Sequence, residues 1–544
     1  MYRFRPQLVD LRRELQPGQI GRDIAAGIIV GIVALPLAIA FGIASGVTPQ
    51  QGLVTAIIAG ALIAGLGGSR VQIGGPTGAF VVLVAITIER FGLDGLLVAT
   101  LLAGGMLIVA GLLGAGALIR YIPLPVTTGF TSGIALIIGL GQLADALGLG
   151  VEKVPAAFLP KIQVLAGAIS TVDPTAVGVT VATLAILLLW PRTGNKIPGP
   201  FVALVVTTAA VSLLHLDVAT IGSRFGDLPR GLPMPTIPHV SLERLGELFT
   251  PAATIALLAA IESLLAAVVA DSMTGFRHRA NTELVAQGIA NLAVPFFGGI
   301  PATGAIARTA TNIRSGGRTP IAGLVHAVTL LIILLVAGPL ARLIPMATLA
   351  GILLVVAWHM GEWHSFFRLA RGPRNDAAVL LTTFGFTVMA DLTVGIGMGM
   401  ALAALLFVQK MTTATQVITG EDEDDSEALV RRAWLPAGVR LLEVRGPLFF
   451  GGAETLRRAL NILPDPSKLL LIDLAAAPGL DVTTARILKD FEAQSRSHGT
   501  RVVFVTKDGA TAAALQREGL ERALSVERAV GRWKEEANGD QRDG

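Results

Sequence analysis

The chain has 544 residues, of which 52% are hydrophobic and only 15% charged, with a mean hydropathy of +0.67 and a formal charge of +4. A soluble chain carries about 25% charged residues, so these values exclude an ordinary soluble enzyme and describe a polytopic membrane protein. The absence of cysteine removes disulfides, thiol catalysis and Cys-based metal sites, and the small net charge offers nothing to nucleic acid.

The start is a basic arm, residues 1–22, with Arg3, Arg5, Arg12, Arg13 and Arg22. It reads as cytoplasmic rather than as a removed signal peptide, because arginines collect on the inner side of a membrane. The first predicted span is Ile24–Ala44, kinked at Pro36 and carrying Phe41. The second is Gln51–Gly67, followed by a short segment from Gly78 to Glu89 and runs at Leu96–Leu118 and Pro125–Leu147. The fifth contains Thr127, Thr128, Thr131, Ser132 and Gln142, a set suited to hydrogen bonds between helices. Pro174–Trp190 and Pro200–Leu214 complete a first half. A Pro-rich loop, His215–Leu248, precedes the second half, with spans at Pro251–Ala270, Glu283–Phe296, Gly304–Ser315, Ile321–Ala337, Leu340–Met360, Ala377–Met389 and Thr393–Met411.

Loops after even-numbered spans hold Arg70, Arg120, Arg192, Arg277, Arg279, Arg314, Arg318, Arg368, Arg371 and Arg374, whereas the opposite loops are acidic or mixed. That asymmetry predicts about fourteen segments with both termini inside. Seven is odd, so two halves, about 23–214 and 249–415, would enter from opposite sides as an inverted repeat. After Met411 comes an acidic linker, 416–433. A soluble α/β unit is predicted over 434–535, with strands at Arg440–Val444, Leu448–Phe450, Lys468–Leu474 and Arg501–Val505 and helices at Ala453–Leu463, Thr484–Arg496 and Ala510–Glu518, then a polar tail, 536–544.

Two stretches interrupt the apolar pattern in corresponding places: Gly74-Gly-Pro-Thr-Gly-Ala-Phe80 and Gly298-Gly-Ile-Pro-Ala-Thr-Gly-Ala-Ile-Ala-Arg308. Each opens a short helical segment. A helix broken inside a membrane leaves N–H groups that survive only when buried in protein or facing a polar cavity, and a helix start attracts anions. Paired interruptions of this kind point to a transport site, whose bland alternative is a pair of tight packing loops. Glu262, central in its apolar run, is a functional candidate because an ionisable group there is costly; it would carry a proton, the alternative being a structural hydrogen bond or ion pair. Arg308 adds a full positive charge one turn into the second interrupted helix and would hold an oxyanion bidentately, unless it pairs with Glu262 or with lipid phosphate. Asn312, one turn on, and Asp271, at a span end, read as packing and helix-end groups. His278, His326, His359 and His364 make no zinc pattern, and no phosphate loop of the ATPase type exists.

With these motifs in hand, the chain resembles the SulP anion transporters, solute carrier family 26. The carrying residues are Leu35-Pro-Leu-Ala-Ile-Ala-Phe41, Gly74-Gly-Pro-Thr-Gly78, Gly129-Phe-Thr-Ser-Gly133 and Gly298 to Arg308 with Thr309-Ala-Thr-Asn312. The tail resembles a STAS domain through Gly446-Pro-Leu-Phe-Phe450, Leu470-Leu-Ile-Asp473 and Asp481-Val-Thr-Thr484. The resemblance implies a seven-plus-seven inverted repeat of core and gate domains, a homodimer in the bacterial inner membrane, and no enzymatic activity, cofactor or metal. It implies an anion site at Thr77, Gly78, Ala79 and Phe80 from one half and Ala305, Ile306, Ala307 and Arg308 from the other, with Phe41 nearby. Sodium–bicarbonate members carry aspartate where this chain has Glu262 and threonine where it has Ala266, a difference that favours protons over sodium as the coupling ion. Val482 and Thr483 replace the two serines of soluble anti-sigma antagonists, which makes Thr483 a structural threonine rather than a phosphorylation site. The expected activity is secondary transport of sulfate, bicarbonate or a dicarboxylate. Sodium-coupled bicarbonate symport, a channel-like anion pathway and a membrane-tethered signalling module stand as alternatives.

Overall fold

The computed structural model describes residues 4–11, 17–151, 154–195, 197–226, 231–238, 244–390, 392–413, 416–418, 435–446, 448, 456–458, 460, 467–477, 479–507 and 509–540. The chain divides into two compact units, Met1–Met400 and Ala401–Gly544. Among the described residues nine helices are long and apolar enough to cross a membrane.

The first unit opens with α1 (Gln19–Ala44), which keeps Pro36 inside it, and α2 (Pro49–Leu66), started by a Thr48–Gln51 capping box. A two-residue strand, β1 (Gly74–Gly75), precedes α3 (Gly78–Leu112). As expected, this stretch is a pair of helical segments, and they meet at Gly92, whose φ of 74° and ψ of −179° turn the chain sharply. The expected continuation to Leu118 is replaced by a 3₁₀ stretch, Ala115–Tyr121, beyond Gly114, another left-handed glycine. Then come α4 (Leu124–Ala146), the short α5 (Phe158–Gly167), α6 (Pro174–Leu189), α7 (Gly199–Leu213) and α8 (Ile221–Phe225). Neither α5 nor α8 is among the sequence expectations, since both are too short and too mixed in polarity to show an apolar run.

The second half follows with α9 (Leu245–Thr274), α10 (Ala280–Ala293), β2 (Thr303–Gly304), α11 (Ile306–Arg314) and α12 (Pro320–Ala341). It continues with α13 (Met346–Met360), the amphipathic α14 (Trp363–Ala370) and α15 (Arg374–Met389), and the division between the units falls within α16 (Leu392–Thr413). The expected span from Leu340 therefore begins later, because Leu340 lies in the last turn of the preceding helix and Pro345 caps the next.

Buried polar side chains hold the helix ends together. Asp23 is fully buried and accepts from Gln19 Nε2 at 3.0 Å, the Arg318 amide at 2.7 Å and Thr319 Oγ1 at 2.6 Å, tying α1 to the start of α12. On α10, Glu283, Gln287 and Asn291 recur every fourth residue and are all buried. Glu283 Oε2 accepts the Gly68 and Ser69 amides at 2.8 and 3.0 Å, which closes the chain after α2. The described part of the N-terminal arm is docked: the Gln7 amide donates to the Gly67 carbonyl at 3.0 Å, and Asp10 receives Arg279 at 2.6 Å and also Arg5.

In the second unit a five-stranded sheet has the order β3 (Gln416–Ile418), β4 (Val439–Arg445), β5 (Leu469–Ala476), β6 (Arg501–Val505), β7 (Arg522–Ala523). Only the β3–β4 pair is antiparallel. With α17 (Val482–Ser497) and α18 (Ala510–Arg517) it buries Leu442, Val444, Leu470, Ile472 and Phe504, and α19 (Val526–Asp540) packs on Val439, Leu469, Leu471 and Val503. The linker expected from 416 thus starts as an edge strand, and the tail expected from 536 is helical to 540. Residues 419–434, most of the expected Ala453–Leu463 helix and parts of Gly446–Phe450 lie outside the described residues. The buried threonine at the start of α17 is Thr484, whose hydroxyl donates to Asp481 at 2.7 Å; Thr483 is exposed, which corrects its expected structural role.

Two outcomes check this packing. The Arg279 hydrogen bond, followed by Arg5, holds the Asp10 carboxyl below the usual carboxylate range. A lowered pKa stabilises the fold above the ordinary value of about 4 and stops doing so as pH falls through the lowered one. Asp10→Asn is therefore expected to unfold at a lower temperature than the parent at pH 7, with the gap closing on acidification; a gap that persisted at low pH would contradict the ion pairs. A Cβ at Gly304 would stand 1.6 Å from Gln72 Nε2. Gly304→Ala is expected to cost on the order of 1–3 kcal/mol, and Gly304→Ala with Gln72→Ala is expected to recover part of it, measured as a double-mutant cycle of thermal midpoints.

Candidate functional site

The two sequence interruptions meet. Gly74 pairs with Gly304 and Gly75 with Thr303, antiparallel, so the breaks satisfy each other's backbone groups. The Ala305 amide extends the ladder to the Ile73 carbonyl at 2.8 Å. Because the strands run in opposite directions and each leads directly into a helix, α3 and α11 start on either side of the same ladder.

Side chains from three helices fix these loops. Thr55 Oγ1 on α2 accepts the Ile300 amide at 2.8 Å, and Asn291 on α10 both donates to and accepts from Ala302, at 2.8 and 2.9 Å. Thr303 Oγ1 donates to the Ala259 carbonyl on α9 at 2.9 Å, and Gln72 Nε2 donates to the Ser263 carbonyl at 3.0 Å. From α11, Thr309 Oγ1 accepts the Ile73 amide at 3.1 Å and Asn312 Nδ2 donates to the Val71 carbonyl at 2.8 Å. Asn312 is thus a cross-brace, in line with its expected packing role. The others escaped the sequence reading. The fourfold spacing of Glu283, Gln287 and Asn291 was the available signal for the α10 set; single residues such as Gln72 and Thr55 offered none.

Neither helix start is capped by a side chain. Ala305, at the cap position of α11, has no group to offer. Thr77 is a residue type that ordinarily caps, but its hydroxyl donates instead to Glu262 Oε2 at 2.8 Å. The first-turn amides of α3 and α11 therefore keep their partial positive charge uncovered by their own caps. Arg308 is 2% exposed. One terminal nitrogen donates to the Pro76 carbonyl, across the ladder, while Nη1 is buried and has no hydrogen-bond partner among the described residues. Among the described residues no ion pair within 4 Å joins Arg308 to Glu262, whereas the other expected alternative for Glu262, a hydrogen bond across helices, is present as its bond to Thr77. Gly75, with φ of 147°, leaves the guanidinium its space: a Cβ there would lie 2.6 Å from Nη1.

The remaining candidates divide by environment. Gly78 sits against Phe41, Ile138 and Met360, where a Cβ would come 3.3, 3.4 and 3.2 Å from their side chains. Ala79, Phe80 and Phe41 are buried, and the Phe80 ring has no exposed surface. Ile306 and Ala307 are exposed. A cavity of about 370 Å³ lies past this apolar layer, with Ile138 and Val82 in its wall. Among the described residues no cluster of three or more metal-ligating side chains occurs.

The arrangement can attract an anion and place it beside a carboxylate. Comparisons with known proteins agree in kind. Residues 20–383 match the Sulfate permease family and residues 435–532 the STAS domain. YvdB of Bacillus subtilis (strain 168) is 40% identical over 502 residues, 92% of this chain and 94% of that one. The bicarbonate transporter BicA of Picosynechococcus is 32% identical over 513 residues, 91% and 90% of the two chains. Among solved structures, the transmembrane domain of a cyanobacterium bicarbonate transporter BicA superposes with a TM-score of 0.63 at 32% identity, over 72% of this chain and 98% of that one. The overall structure of SLC26A9 gives 0.85 over 98% and 93%, at 17% identity, a likeness of fold alone. The chain therefore belongs to the Sulfate permease family, the SulP or solute carrier 26 anion transporters with a STAS domain, whose members are transporters and not enzymes.

Proposed function

We propose that the chain is a proton-coupled secondary transporter that carries one small anion across the bacterial inner membrane by alternating access. The observation that carries this reading is the pair of uncapped helix starts with a buried, half-satisfied Arg308 between them. A buried guanidinium nitrogen without a partner is costly, and an incoming oxyanion removes that cost. Thr77, Gly78, Ala79 and Phe80 from one side and Ala305, Ile306, Ala307 and Arg308 from the other form the anion site, with Phe41 as its apolar wall.

Glu262 supplies the coupling. As a carboxylate it opposes an anion bound at the start of α3; protonated, it does not. Its bond to Thr77 links the same proton to the residue that begins α3. Proton and anion therefore favour each other's binding, and by linkage the preference is mutual. The transported anion is sulfate, bicarbonate or a dicarboxylate. YvdB carries a provisional sulfate-transporter name, and the BicA relatives favour bicarbonate as the second choice.

The strand-then-helix device occurs twice and runs in opposite directions, which supports the seven-plus-seven inverted repeat. The arginine-rich loops support cytoplasmic termini, and the family resemblance carries the homodimer. The domain limits read from the sequence, with a STAS unit beginning near 434, belong to the same proposal.

Proteoliposomes holding the full chain, given an inward proton gradient, are expected to take up labelled sulfate or bicarbonate against its own gradient. Glu262→Gln is expected to abolish the response to the pH gradient. Arg308→Ala is expected to lower kcat/KM by roughly 10²-fold or more, the equivalent of ~3 kcal/mol, with Arg308→Lys intermediate because a point charge replaces a fork. Uptake that ignored the gradient, and was the same in Glu262→Gln, would remove the proton from the mechanism.

A further inference from the structure

The cavity of about 370 Å³ next to the start of α3 contains charges that the transport site does not use. Its wall includes Glu89 at the far end of the first part of α3, Asp145 at the end of α4, Arg224 on α8 and Lys161 on α5. Arg224 Nη1 is bonded to Asp145 Oδ1 at 2.8 Å, so those two charges cancel. Glu89 is exposed. Lys161 differs from all three. It is only 6% exposed, and among the described residues its ammonium makes one hydrogen bond, a long one of 3.4 Å to the Ile137 carbonyl. Among the described residues no carboxylate lies within ion-pair distance of it.

A buried ammonium with one long hydrogen bond is poorly compensated. Gly141, across from it on α4, places no side chain against the ammonium; a Cβ there would lie in ordinary contact with Nζ, at 3.6 Å. The cavity also reaches Ile138, whose Cδ1 lies 3.4 Å from where a Gly78 Cβ would stand. One apolar side chain thus separates the wall that carries Lys161 from the helix start.

We propose that this cavity is a second anion-binding station, where Lys161 receives a small oxyanion before it passes the Phe41–Ile138 layer to the α3–α11 site. The proposal rests on the transport reading for the direction of travel but not for binding itself. A lysine serves here as a point charge without shape selectivity, which suits an approach site, while the fork of Arg308 suits the final one.

The test uses the full chain in proteoliposomes, with sulfate and bicarbonate as probes. Lys161→Gln is expected to raise the KM for anion supplied on the cavity side about tenfold, leave the maximal rate within about twofold, and leave the KM from the opposite side unchanged. Lys161→Arg is expected to retain the parent KM. Because the chain has no cysteine, Lys161→Cys introduces a unique thiol. Modification with a methanethiosulfonate that adds an ammonium is expected to restore the low KM within the same folded sample, and one that adds a sulfonate to raise it further. Equal rises in KM from both sides, a Lys161→Arg that behaves like Lys161→Gln, or indifference to the sign of the added charge would each overturn the proposal. If the parent moved neither probe, the transport reading would fail separately. Sulfate binding by the purified chain would then decide: a sulfate-induced rise in thermal midpoint lost in Lys161→Gln but kept in Arg308→Ala supports the station, and a rise that Lys161→Gln does not change overturns it.

Discussion

A backbone that leaves the helix inside an apolar slab has to find partners for its N–H and C=O groups, and everything at the centre of this protein follows from how it does so. The chain breaks twice, at Gly74–Gly75 and at Thr303–Gly304, and the two breaks pair with each other. The antiparallel sense of that pairing sends α3 and α11 away from one another and leaves their starts together. Gly304 is required by the closeness of Gln72, and Gly75 by a left-handed backbone and the nearby guanidinium. Buried polar side chains then brace the ladder: Thr55 on α2 and Asn291 on α10 bond the loop backbone, and Thr303 of the ladder itself donates to the Ala259 carbonyl of α9. Such bonds are worth making because an unpaired group in this setting costs more than the bond itself returns.

Within that frame the electrostatics are arranged by omission as much as by placement. Ala305 cannot cap α11, and Thr77 spends its hydroxyl on Glu262. Arg308 spends one nitrogen on Pro76 and none on Glu262. The result is positive character gathered at two helix starts with the carboxylate held one hydrogen bond away. The contrast with Asp23 and Glu283 is instructive. Both are buried carboxylates, yet each is satisfied by three or more donors and ties helix ends together, so neither has capacity to spare for a ligand.

The second unit follows the ordinary rules of a water-soluble sheet. In the parallel β5 and β6, residues 469–472 and 502–505 are continuous apolar runs because both faces are covered, whereas β4 mixes Arg440, Glu443 and Arg445 with the buried Leu442 and Val444, and β3 is a short antiparallel edge. Asp481 caps α17 through the Thr484 amide and hydroxyl. Arg501, held by Glu521 and Glu536, has its guanidinium pKa raised by those bonds and joins β6 to α19.

Hydropathy, glycine and proline placement and arginine bias were enough to read a helical membrane protein with a soluble α/β unit after it, and to single out both interruptions together with Glu262 and Arg308. These signals are local: an apolar run, a breaker and an isolated charge each state their cost within a few residues of sequence. The pairing of Gly74 with Gly304, the diversion of Thr77 to Glu262, the burial of Phe80 beside the exposure of Ile306 and Ala307, and the uncovered ammonium of Lys161 were decided only by tertiary structure. Each depends on a partner some 25 to 230 residues away or on a wall built from several helices, and neither periodicity nor propensity carries information about which distant group will arrive.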